Sequence, residues 1–168
     1  MKQTLDGQPL IQDESVENVL TTRPATEADY EFALKTHHDA YEDVVSKSRF
    51  GWDVAKQDEF FRNCWAPATY QIILADGTEV GYCNVEYEGD HLLLDELVIS
   101  PKFEGKGIGT RILKQIIQRA ITENKLLRLQ VLKNNDAKRL YDRSGFKEIK
   151  EEETDTHYKM IFDPNLEV

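Results

Sequence analysis

The stretch Asp95-Glu96-Leu97-Val98-Ile99-Ser100-Pro101-Lys102-Phe103-Glu104-Gly105-Lys106-Gly107-Ile108-Gly109 decides how this chain is read. The end of an apolar strand meets a proline stop, and a glycine-rich loop then runs straight into a segment of helical spacing. Glycine has no Cβ to hold a ligand away from the main chain. The first amides of a helix have no acceptor inside it and point toward whatever lies beyond the end. Phosphate is the usual guest of such a terminus.

Downstream, Ile108, Ile112, Leu113, Ile116, Ile117, Ala120 and Ile121 fall on one side of the helix, with Arg111, Lys114, Gln118 and Arg119 on the other. Leu126 to Leu132 is a second apolar strand, so strand, helix and strand make a parallel crossover. Asn134 to Ser144 reads as a short helix closed by Gly145, and Phe146 to Glu152 with His157 to Phe162 as a terminal hairpin. Upstream lie three β-rich runs, Tyr70 to Leu74, Val80 to Tyr87 and His91 to Ser100, separated by Asp76-Gly77 and Gly89-Asp90. Asp-Gly between apolar runs is a hairpin signal, which makes this an antiparallel meander. Its last strand is apolar on both faces and is expected at the centre of the sheet.

Nearer the start, Val19 to Arg23 is a candidate strand, and Thr26-Glu27-Ala28-Asp29 resembles a capping box opening a helix that runs to about Lys47. Asp53 caps a second helix, carrying Phe60, Phe61, Cys64 and Trp65, that stops before Pro67. Residues 1–18 are polar and without period, an arm preceding one domain over residues 19–168. The expected class is α/β: a mixed central sheet flanked by helices, with an antiparallel meander, the crossover at the glycine loop and a C-terminal hairpin.

The 168 residues suffice for one well-buried core. With 21 Lys and Arg against 31 Asp and Glu, the formal net charge of −10 disfavours nucleic acid and anionic membrane as partners. Two cysteines without paired spacing, and no apolar run near the roughly 20 residues that span a bilayer, fit a soluble protein of the reducing cytoplasm. The segment from Gly105 to Lys125 departs from the acidic whole, with a local surplus of four positive charges beside the helix start. After Gly105 and Gly107 the third glycine of a dinucleotide fingerprint would fall on Thr110, and no Gly-Lys-Ser or Gly-Lys-Thr follows the loop. Neither a dinucleotide fold nor a nucleoside triphosphatase is indicated.

Together with Asn134-x-x-Ala137-x-x-Leu140-Tyr141-x-x-x-Gly145-Phe146, the loop resembles the GNAT superfamily of acyl-CoA-dependent N-acetyltransferases. The likeness follows element order from about Leu20 to Phe162 and is motif-specific from about Leu94 to Phe146. It implies acetyl-CoA as cosubstrate. Backbone groups of Leu97, Val98 and Ile99 would pair with the pantetheine arm, one amide facing the thioester carbonyl. Gly105, Lys106, Gly107, Ile108, Gly109 and Thr110 would hold the pyrophosphate, and Asn134 the pantetheine region. Tyr141 matches the family's tyrosine acid, which protonates the departing thiolate. Glu104 departs from the pattern, since the family usually has Arg or Gln there, and a carboxylate cannot help bind phosphate.

Acetyl transfer also needs a neutral amine, whereas alkyl ammonium groups ionise near pH 10, so a base is required. Glu96, beside the residues expected to line the thioester, is the first candidate, its pKa open to elevation by burial. Alternation puts Asp95 on the opposite face unless a bulge intervenes. The acids Glu86, Glu88, Asp90, Asp95 and Glu96 would attract a cationic amine. His37, His38, Tyr41, Phe50 and Trp52 are core residues or one wall of an acceptor pocket, and no metal site is expected. The reading is therefore an N-acetyltransferase acting on the primary amine of a small cationic molecule by direct transfer in a ternary complex. A protein or peptide N-acetyltransferase and a non-catalytic acyl-CoA-binding sensor stand as alternatives. Edge strands at the C-terminal hairpin leave room for a homodimer.

Overall fold

The computed structural model describes residues 19–48 and 51–166, so the N-terminal arm and Phe50 lie outside it. Among the described residues seven strands follow the order β1-β2-β3-β4-β5-β7-β6, with β4 in the middle; helices flank them, and the sheet is mixed because β4 and β5 run parallel. The chain divides into two compact units, and β3 and β4 each contribute one end to both.

In the first unit, β1 (Leu20–Pro24) pairs antiparallel with β2 (Tyr70–Ala75), and β2 with β3 (Thr78–Glu88). Asp76 and Gly77 both take positive φ, the geometry of a two-residue hairpin turn. Asp76 is held there because its carboxylate accepts from the Val19 amide at 2.8 Å. Asp29, expected at the third position of a capping box, does reach back to the Thr26 amide at 2.8 Å. It also takes two bonds from Arg23, at 2.8 and 2.9 Å, and so ties β1 to the start of α1 (Tyr30–Ser46). Asp53 caps α2 (Val54–Cys64) by accepting from Lys56 N, as its place before the apolar run predicts. The core joins Ala25, Ala33, Phe61, Tyr70, Ile72, Tyr82 and Val98. β3 and β4 (His91–Ile99) approach closely at Gly81, where a Cβ would come within 2.1 Å of Val98 O.

In the second unit, the first residues of β4 pair parallel with β5 (Leu126–Leu132), and β5 pairs antiparallel with β7 (His157–Phe162). The parallel strands are linked by α3 (Ile108–Glu123), which buries Ile112, Leu113, Ile116 and Ala120. Asn124 ends this helix at positive φ, with Lys125 N bonded to Ala120 O at 2.9 Å. Ile121, read as part of the apolar stripe, is 44% exposed. It lies about 100° around the helix from Ala120, at the flank of the stripe.

Two further expectations are corrected. The helix expected from Asn134 is α4 (Ala137–Arg143), because Asn135 Oδ1 accepts from Ala137 N at 2.9 Å and holds the preceding residues in a turn. The strand expected from Phe146 to Glu152 is only β6 (Lys147–Glu148), followed by a 3₁₀ turn over Lys150–Glu152. The acidic run suits a sheet interior poorly, and its carboxylates turn to cations instead: Glu152 to Arg128 and Glu153 to Lys133. Among the described residues no helix is long and apolar enough to cross a membrane.

Candidate active site

The glycine loop opens with a 3₁₀ turn over Pro101–Phe103, closed by Phe103 N to Ser100 O at 2.9 Å. Gly105 and Gly107 then take φ of +76° and +75°, conformations that disfavour any side chain, and a Cβ at either would meet no atom within 4 Å. The space a side chain would enter is open. α3 starts at Ile108, which places Gly109 and Thr110 in its first turn, where amides lack intrahelical acceptors. Lys106, exposed, has its Nζ 5.6 Å from the centre of the Phe103 ring. Positive φ, open space beside both glycines, helix start and a lysine together fit a diphosphate. Glu104 is exposed beside them.

Val98 is buried and Leu97 and Ile99 are half-buried at the end of β4. The ladder between β4 and β5 covers His91↔Leu126 to Leu94↔Leu129, whereas β5 itself pairs with β7 as far as Leu132.

Tyr141 is carried by α4 and is 8% exposed. The local chain explains its place. Gly145, at φ +97°, lets Phe146 N reach Tyr141 O at 3.1 Å and Gly145 N reach Asp142 O at 3.3 Å. This is a Schellman closure, and the rings of Tyr141 and Phe146 make its usual apolar contact, with centroids 5.7 Å apart. The spacing Tyr-x-x-x-Gly-Phe thus has a mechanical meaning: glycine ends the helix and phenylalanine clamps the tyrosine ring. Burial pushes the Tyr141 phenol up to about 12. Asn134 is exposed in the turn that follows β5.

The two carboxylates of β4 have different surroundings. Asp95 is exposed at an open cavity of about 420 Å³, whose lining includes Glu88, His91, Arg128, Gln130 and Lys159. Arg128 and Lys159 are engaged by Glu152 and Gln130. The Asp95 carboxyl is held above the usual carboxylate range, first by partial desolvation and then by the negative charges of Glu86 and Glu88. Glu96 is half-buried, with its Oε2 shielded from solvent, and its carboxylate acts on the Tyr82 phenol.

Of the aromatic segment singled out in the sequence, His37 is 4% exposed and packs its ring 4.9 Å from Tyr41 and 5.2 Å from Phe61. Both histidines link α1 to α2: His37 Nε2 to Gln57 at 3.1 Å and His38 Nε2 to Asp58 at 2.6 Å. Trp52 stands edge-on to His38, with ring centres 5.3 Å apart. His37 and Tyr41 therefore pack with the core. Burial lowers the affinity of His37 for a proton.

Of the residues expected from the sequence, Glu96, Leu97, Val98, Ile99, Gly105, Lys106, Gly107 and Ile108 belong to the first compact unit. Gly109, Thr110, Asn134 and Tyr141 belong to the second. The sequence reading missed Tyr82, whose association with Glu96 depends on pairing between strands. The nearest signal was Val80-Gly81-Tyr82, where a glycine inside a strand marks close backbone approach.

Comparison with known proteins bears on the fold. A bovine (Bos taurus) thialysine N-epsilon-acetyltransferase is 27% identical over 129 residues, covering 67% of this chain and 74% of that protein. The solved PaiA N-acetyltransferase of Thermoplasma acidophilum, in complex with coenzyme A, shares the fold with a TM-score of 0.69 and 16% identity, over 86% of this chain and 98% of that one. The ribosomal-protein-S18-alanine N-acetyltransferase of Escherichia coli does so with a TM-score of 0.63 and 18% identity, over 89% and 97%. Residues 66–148 match the model of the acetyltransferase (GNAT) domain, and with the glycine loop, the mixed sheet and these structural relatives in agreement, the chain carries a GNAT acetyltransferase domain over that stretch.

Proposed function

We propose that this protein transfers an acetyl group from acetyl-CoA directly to the primary amine of a small cationic molecule, both substrates being bound together. The observation that carries the reading is the loop in which Gly105 and Gly107, at positive φ, lead into the 16-residue helix α3. Amides of Ile108, Gly109 and Thr110, with Lys106 nearby, hold the diphosphate of the cosubstrate there. Main-chain groups of Leu97, Val98 and Ile99 lie past the end of the β4–β5 ladder and take the pantetheine arm as an added strand partner. One of their amides faces the thioester carbonyl and stabilises the charge that develops on its oxygen. Asn134 contacts the pantetheine region. The cosubstrate supplies the activated acetyl group; the chain supplies position and protons.

Glu96 takes the proton from the acceptor ammonium, giving a neutral amine and a carboxylic acid; the proton that nitrogen sheds as the C–N bond forms and the C–S bond breaks neutralises the departing thiolate, and Glu96 returns its own to solvent after transfer. Tyr141 donates a hydrogen bond to the departing sulfur. With the phenol at about 12 and a thiol near 8.5, complete transfer is uphill by roughly 3.5 units, so Tyr141 shares its proton with the developing charge instead of losing it early.

The acids Glu86, Glu88 and Asp95 attract a cationic acceptor toward these strands. Partial desolvation, and then repulsion from Glu86 and Glu88, raises the Asp95 pKa, and a nearby ammonium relieves the repulsion. The bovine relative named for thialysine points to the same class of acceptor. The test is thiol release from acetyl-CoA across polyamines, lysine analogues, aminoglycosides, peptides and protein N-termini. Turnover with small cationic amines, and a raised KM for them in Asp95→Asn, is the expected result. Turnover confined to peptides reassigns the acceptor, and tight acetyl-CoA binding without thiol release reassigns the protein as a sensor.

A further inference from the structure

Tyr82 is 0% exposed, and its ring is fixed by Tyr70 at 5.7 Å and Phe61 at 6.3 Å between centroids. A hydroxyl in such aromatic surroundings is costly unless it has a partner. Among the described residues the Tyr82 oxygen makes no hydrogen bond of good geometry. The pairing that bonds Ser100 N to Val80 O at 2.8 Å brings β3 and β4 together, and Glu96 lies close enough for its carboxylate to act on the Tyr82 hydroxyl. The carboxylate's Oε2 is itself shielded from solvent. Other titratable groups around them are Tyr41 from α1, with His37 in ring contact behind it, and Tyr70 from β2; α2 contributes the uncharged Phe61.

We propose that Tyr82 is a positioning residue for Glu96: its buried hydroxyl donates to the carboxylate, holds its rotamer and keeps it ionised for its encounter with the acceptor. The proposal rests on the reading of Glu96 as the base. A half-buried carboxylate drifts toward its neutral form, and a hydrogen bond donated to the charged form opposes that drift. A phenol suits the task because it donates without titrating. Burial, then the neighbouring Glu96, raises the Tyr82 pKa well above its ordinary value, so the donor stays protonated throughout the working range. Hydrogen bonds of this kind are often loose before substrates bind and tighten in the complex.

The experiment is a ¹³C titration of the Glu96 carboxyl in glutamate-labelled protein, the signal assigned by its loss in Glu96→Gln. It needs neither substrate. In Tyr82→Phe, which keeps the ring, the Glu96 pKa rises by about one unit, tenfold in proton affinity, for loss of one charge-assisted bond. The acid limb of kcat/KM moves up by the same amount in Tyr82→Phe and disappears in Glu96→Gln. A folded Tyr82→Phe protein in which the Glu96 titration stays in place overturns the proposal. Should that variant fail to fold, 3-fluorotyrosine at position 82, a stronger donor, lowers the Glu96 pKa; no shift there overturns it equally. An acid limb that survives Glu96→Gln removes the base assignment and with it the role proposed for Tyr82, while the carboxyl titration separately reports whether the two side chains interact.

Discussion

Replacing Tyr141 by Phe removes one oxygen and leaves the ring against Phe146, so α4 and its glycine closure are expected to survive. The loss falls on the departing sulfur. A hydrogen bond to a charged group contributes about 1.5–3 kcal/mol, which corresponds to a fall in kcat of roughly 10- to 150-fold. KM for acetyl-CoA should change little, because the bond strengthens only as charge collects on sulfur. The pH profile is the sharper assay. With the phenol pushed up to about 12 by burial, Tyr141 remains protonated across the accessible range and produces no basic limb below about pH 10. Initial rates of thiol release, with the best acceptor from the amine panel, should therefore fall by a constant factor from pH 6 to 10. Unchanged kcat in a folded Tyr141→Phe protein refutes the assignment. A basic limb near pH 8–9 that vanishes in the variant refutes the pKa argument even if the rate falls.

Gly107→Ala places a side chain at φ +75°, at a cost of about 1–2 kcal/mol, and puts a methyl group in the open space where the diphosphate is proposed to sit; calorimetry should show coenzyme A affinity reduced about tenfold or more. In Gly81→Ala the new Cβ meets Val98 O, so β3 and β4 must separate; thermal unfolding should reveal a loss of about 3 kcal/mol, and an unchanged Tm contradicts the close approach. Hydrogen bonding to Arg23, the largest cause, holds Asp29 at about 2 against an ordinary 3.8. That pair contributes about 2 kcal/mol of stability above pH 3.8, lost as pH falls toward 2. Urea titrations of Arg23→Met at pH 7, 4 and 3 should show a less stable protein at pH 7 in which this part of the acid dependence has disappeared.

The hairpins, the crossover helix and the capped start of α2 were legible because each is written over a few neighbouring residues: Asp76-Gly77, the apolar stripe from Ile108, Asp53 before an apolar run. The central place of β4 followed from a strand apolar on both faces. Legibility failed where side chains answer to distant partners. The strand expected after Phe146 breaks off at Glu148 because Glu152 and Glu153 find Arg128 and Lys133. The helix expected from Asn134 is delayed by an Asn135 side chain that prefers a turn. Ile121 shows the same limit at the edge of a stripe, where a period says which side a residue favours but not how far cover extends.

For the candidate site the division is similar. Chain order alone determined the glycine loop at a helix start and the Tyr-x-x-x-Gly-Phe closure, since backbone sterics and i-to-i+5 bonding act within one turn or two. Tertiary structure decided which carboxylate of the Asp95-Glu96 pair stands at an open cavity among other acids and which is shielded beside a buried phenol. It also decided the close passage of Gly81 over Val98. The physical reason is that a proton's affinity and a cavity's walls depend on desolvation and on charges brought near by strand pairing, and neither is encoded within the few residues a local motif spans.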